Sequence, residues 1–169
     1  MNADMEQEKM KFKPISLRPH WLQFTINQLH WLILCLVIFI IYFYTPDLRL
    51  KYGFLCVGLI LLMYILYQAA YIARIEYIVT NDQIVYLHGV VRHSTDYLEL
   101  YRVVDYQQYS SLMQQIMGLK TVVIYSEDRN TPVMIITGIK QRLNVIQEIR
   151  KRVEYNKSLK RIYEISNKM

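Results

Sequence analysis

Two apolar stretches, Leu29–Tyr44 and Tyr52–Ile72, stand almost back to back near the start of the chain, with only a short loop between them. The second is 21 residues without a charge, and at about 1.5 Å of rise per residue it spans about 31 Å, the thickness of a hydrocarbon core. The first reaches spanning length by extending backward through Leu22, Phe24 and Ile26, which brings Asn27, Gln28 and His30 into the helix. Trp21, Trp31, Tyr42, Tyr44 and Tyr52 suit an aromatic belt at the interfaces. A cleaved signal peptide is the competing explanation for the first stretch, but no small-x-small site follows it; the run ends Tyr42-Phe43-Tyr44-Thr45-Pro46. The pattern predicts a two-helix hairpin over residues 21–73, with spans at about 22–44 and 52–72.

Charge sets the expected orientation. Lys9, Lys11, Lys13 and Arg18 precede the first span and fourteen Lys/Arg run from Arg74 onward, whereas the loop Thr45–Lys51 carries only Arg49 and Lys51. The positive-inside rule then places both termini in the cytoplasm of a multi-pass protein of the inner membrane. The net charge of +6 is small, and the basic residues fit no nucleic-acid module; an anionic membrane face accounts for them. Cys35 and Cys56 lie at different depths in the spans, so no disulfide is expected. Ala69 and Ala73 are spaced for close helix approach.

Beyond the hairpin, short β-branched and aromatic runs alternate with turn residues. Arg74–Thr80, Gln83–Leu87, Val90–Arg92, Asp96–Leu100, Arg102–Tyr109, Thr121–Tyr125 and Pro132–Ile136 read as strands. Asn81-Asp82, His88-Gly89 and Ser126–Asn130 read as turns, and Ser111–Met117 as a short helical turn before Gly118. After Gly138 the period changes: Ile139, Leu143, Ile146, Ile149 and Val153 form one helical stripe, which would cover an open end of an antiparallel sheet or barrel. Leu159, Ile162 and Ile165 extend that helix or form a separate segment.

Two blocks carry a resemblance. The first is Tyr77-Ile-Val-Thr80-Asn81 with Gly89 after the next strand. The second runs without a gap from Leu98-Glu-Leu-Tyr-Arg102-Val, through Ser111-Leu112-Met-Gln114, to Gly118-Leu-Lys-Thr121-Val-Val-Ile124. Together with the hairpin they resemble the bacterial membrane-flanked PH-like domain family, the bPH2 group, over about residues 74–153. Ser110, Gln115 and Glu99 depart from its pattern. The resemblance implies a bent antiparallel β-barrel of about seven strands closed by a C-terminal helix. With the charge pattern above, the expected organisation is 1–20 as a cytoplasmic segment, 74–156 as a cytoplasmic PH-like domain and 157–169 as a basic tail.

Fold does not give function, and the residues offer little chemistry. His20, His30, His88 and His93 have no metal-ligand spacing, with His88 and His93 read as solvated residues about a turn. The five glycines are too scattered for a phosphate loop, and Ser110-Ser111 has no nearby base. No catalytic, cofactor-binding or metal residue is expected, and the chain is not read as an enzyme. Gly118, Arg102 and Asp105 are expected to be structural, the last two as a pair, and the tyrosines from Tyr86 to Tyr125 suit an interface or a barrel rim equally. The expected role is a membrane-anchored scaffold or adaptor that contacts lipid and a protein partner or a second copy of itself, and no nucleic acid. The alternative is an anionic-lipid headgroup module using Lys140, Arg150, Lys151, Arg152, Lys157, Lys160 and Arg161, since residues 140–161 hold eight Lys/Arg against two Glu.

Overall fold

A computed structural model describes residues 12–160. Helix α1 (Trp21–Tyr44) starts where the His20 ring accepts from the Leu22 N–H at 3.3 Å. It stops at Thr45, because the residue ahead of Pro46 is pushed out of helical geometry. Helix α2 (Leu48–Arg74) is capped by Asp47, which accepts from the Arg49 N–H at 2.8 Å. Both helices are long and apolar enough to cross a membrane. The connecting loop is shorter than expected: Arg49 and Lys51 belong to the first turn of α2, where Lys51 lies 5.0 Å from the Tyr42 ring centroid. Close approach of the helices occurs at Gly58, where a Cβ would meet the Phe39 ring at 3.4 Å, and not at Ala73, which is exposed.

Strand β1 (Ile15–Leu17) lies ahead of the hairpin, within the segment expected to be a plain N-terminal lead. It pairs antiparallel with β2 (Glu76–Val79), Ile15 opposite Val79 and Leu17 opposite Tyr77. The Ser16 hydroxyl donates to Glu76 at 2.5 Å and Arg18 pairs with the same carboxylate at 2.9 Å, which together hold it below the usual carboxylate range. Strands β3 (Gln83–His88) and β4 (Ser94–Glu99) complete a four-stranded sheet. A 3-10 turn (Leu100–Arg102) leads into a three-stranded sheet of β5 (Val103–Tyr109), β6 (Leu119–Ser126) and β7 (Val133–Lys140), with helix α3 (Leu112–Ile116) between β5 and β6.

The two sheets share one core, built from Val79, Ile84 and Leu98 on one side and Val122, Ile124 and Ile136 on the other. Burying each such side chain contributes roughly 1.5–3 kcal/mol. Among the described residues the sheets do not join into a closed barrel. The expected strand at Val90–Arg92 is instead a bend, in which Gly89 holds a φ of +104°. Helix α4 (Val145–Leu159) covers the open side, and Ile149 and Val153 are buried in the core. It starts later than the stripe from Ile139 suggests. Ile139 belongs to β7, and Leu143 is exposed in the connecting turn.

Candidate site at the hairpin-proximal end of the domain

The strand directions define two ends. The Gly138 carbonyl, near the end of β7, accepts from the His20 N–H at 2.8 Å, and α2 arrives two residues ahead of β2. The starts of β2 and β6 and the ends of β5 and β7 therefore lie beside the hairpin. Helix α4 leaves from that end and runs away from it, because Asn156 donates to the Asn81 carbonyl at 2.5 Å in the far turn between β2 and β3.

A buried polar network joins the hairpin to the domain. The Gln114 side-chain amide donates to Gln23 Oε1 and to Thr121 Oγ1, both at 2.9 Å, while the Gln23 amide donates to Asn27 at 2.8 Å. The Gln114 oxygen accepts from the Ser111 N–H at 3.0 Å, and the Ser111 hydroxyl accepts from the Gln114 N–H at 3.2 Å. That reciprocal pair is a capping box and fixes α3 against β6. Gln23, Gln114 and Thr121 are all buried, so an unpaired partner would cost about 1–3 kcal/mol. Gly138 sits against the same turn of α1: with φ at +69°, a Cβ there would meet the Gln23 Cβ at 2.8 Å. Sequence reasoning missed this junction, although Ser111-x-x-Gln114 carries the capping-box spacing.

The basic residues expected to form one surface are dispersed. Lys140 is exposed at the hairpin-proximal end. Arg150 is exposed with its guanidinium 5.7 Å from the Tyr106 ring centroid, and Lys151 pairs with Glu148 at 3.2 Å. Arg152 is not on the surface at all: it is 2% exposed and donates to the carbonyls of Val79, Thr80 and Lys13 at 2.7, 3.1 and 2.8 Å. Lys160 lies 3.4 Å from the Tyr101 ring centroid at the far end, beyond the half-buried Lys157, and Arg161 lies outside the described residues. Arg102 pairs with Glu99 at 3.0 Å and Asp128 at 3.4 Å; Asp105 instead accepts from the Tyr106 N–H.

Other buried groups are tied into the fold. His88 ends β3 and stacks on Tyr86 at 4.4 Å, and Tyr86 stacks on Tyr77 at 4.7 Å, so His88 is not a solvated turn residue. The Tyr77 hydroxyl donates to the Ile135 carbonyl at 2.9 Å, a link between the sheets, and burial pushes this phenol up to about 12. Lys120 is buried in β6, and burial pulls its amine below the usual lysine range. Among the described residues no group of three or more His, Cys, Asp or Glu converges on a point that could hold a metal.

A family model described as a bacterial PH domain matches residues 25–156, well over half of the chain. No curated protein and no solved structure matches the chain.

Proposed function

Because this chain belongs to the bacterial PH domain family, we propose that it is a non-enzymatic, membrane-anchored scaffold or adaptor whose domain contacts another protein at the cytoplasmic face of the inner membrane. The observation that carries this reading is a group of exposed side chains on the outer face of the three-stranded sheet, toward its end away from the hairpin. Tyr125, Val133 and Ile135 are exposed there, with Tyr125 directly opposite Val133 in the β6–β7 ladder. Gln107 of β5 lies on the same face, accepting from the Tyr125 hydroxyl at 2.8 Å. Among the described residues strand β5 is also an edge, pairing in its sheet with β6 alone, so a partner strand can add to it while side chains on the face select the partner.

The two apolar helices, together with the basic residues on the domain side of the hairpin, support the proposed location. The headgroup-binding alternative is not favoured. Arg152 is spent inside the fold, and α4 carries Lys157 and Lys160 away from the hairpin.

Photo-crosslinking from Gln107 and Tyr125 in native membranes tests the adaptor reading, with Glu154 on α4 as the comparison position. The expected result is one reproducible protein adduct at Gln107 and Tyr125, lost in Ile135→Glu. Adducts to lipid or to the same chain alone, or an adduct equally strong at Glu154, would overturn it.

A further inference from the structure

Helix α3 is short, yet it presents large apolar side chains to the outside. Leu112 and Ile116, one turn apart on one face, are 78% and 79% exposed, and Met113 beside them is exposed as well. Single exposed apolar residues need no explanation, but a cluster on a rigidly capped element does. The opposite side of α3 is what fixes its position. Gln114 reaches Gln23 in the first turn of α1, so α3 stands beside the point where that helix leaves the domain. At the same level Trp21, the first residue of α1, is 67% exposed.

We propose that α3 is a wedge that dips into the boundary between headgroups and acyl chains of the same bilayer that holds the hairpin. This rests on the membrane-spanning reading above. An interfacial segment of this kind buries its apolar face roughly 5–10 Å below the surface. Trp21 then occupies the interfacial belt favoured by its amphipathic ring. Cations stand where phosphates would be: the Gln141 N–H donates to the Gly118 carbonyl at 2.9 Å, which sets exposed Lys140 and Arg142 beside the end of α3. The Gln23–Gln114–Thr121 network makes the arrangement rigid. The domain is thereby held in one orientation over the membrane, with α4 rising away from it, and does not swing on its two connections.

The test uses full-length protein with Cys35→Ala and Cys56→Ala, reconstituted into vesicles of phosphatidylcholine and phosphatidylglycerol. An environment-sensitive fluorophore is attached in turn at Leu112→Cys, Ile116→Cys, Ile60→Cys on α2 and Asn130→Cys at the far end of the domain. Lipids with a nitroxide at a shallow or at a deep acyl position serve as quenchers, the shallow one reading positions 112 and 116 and the deep one position 60. The expected result is loss of most emission at positions 112 and 116, quenching at 60 and none at 130. Quenching at 60 with positions 112 and 116 behaving like 130 would overturn the wedge and leave the hairpin reading intact. Apolar emission at 112 and 116 that no lipid quenches would also overturn it, assigning that face to a second copy or another protein. Absence of quenching at 60 would overturn both readings together.

Discussion

Arg152 carries a charge into the interior, where three backbone carbonyls take its hydrogen bonds and the Glu148 carboxylate, one turn earlier on α4, attracts it. Burial pulls its pKa below the usual arginine range, yet the group stays charged, and its hydrogen bonds tie β2 and the segment ahead of β1 to α4. Replacing Arg152 with Met would take the side-chain donor away from one buried and two partly buried carbonyls, at an expected cost on the order of 3 kcal/mol. Arg150→Gln, two residues earlier on the exposed face of α4, should shift stability by no more than about 0.5 kcal/mol. Pulse proteolysis of the detergent-solubilised chain measures both, and equal effects would refute the division of labour. The sequence presents Arg150 and Arg152 as one basic surface, because a stripe counted from apolar residues alone passes over Arg152 and Asn156. Both fall on the buried face of α4 with Val145 and Ile149, at spacings of four, three and four. The basic run was legible. Which of its members faces inward depends on carbonyls some seventy residues upstream or more.

Strand β1 teaches the same lesson for an element. Three residues, Ile15-Ser-Leu17, bounded by Pro14 and Arg18, carry no periodicity, and the partner β2 lies beyond the whole hairpin. The strands from β2 to β7, by contrast, were legible because β-branched runs and turn residues mark each one locally. The start of α4 was misplaced for a related reason: Ile139 fits a helical period but is held in β7, where the Gly138 bulge opens space for Gln23 of α1. A fragment of residues 74–160 therefore lacks a strand of its own sheet and exposes the core positions that Leu17 covers. It should fail to unfold cooperatively in urea. The same fragment preceded by residues 12–19 through a short flexible linker should recover a single sharp transition. An equally cooperative transition at the same midpoint without residues 12–19 would show that β1 is dispensable.

At the scale of the whole molecule, the β1–β2 ladder turns a pattern of hydropathy into a statement about sides. Strand β1 precedes α1 and β2 follows α2, and the two pair residue for residue, so the membrane-spanning reading proposed above puts both ends of the hairpin in one compartment. The helices are 24 and 27 residues, about 36 and 40 Å at 1.5 Å per residue, enough to cross a hydrocarbon core of about 30 Å and return. Length and charge made the hairpin readable from the sequence, but the strand lock between its two ends was not. The reading proposed for this chain adds that the shared compartment is the cytoplasm. Single cysteines at Lys13, Pro46 and Asn130, in a chain with Cys35→Ala and Cys56→Ala, test both parts with a membrane-impermeant maleimide on intact cells. Label should reach position 46 directly and positions 13 and 130 only after permeabilisation. Labelling of 13 and 130 from opposite sides would break the β1–β2 pairing. Joint outside labelling of 13 and 130 would keep that pairing and move the domain, with its exposed sheet face, to the other side of the membrane.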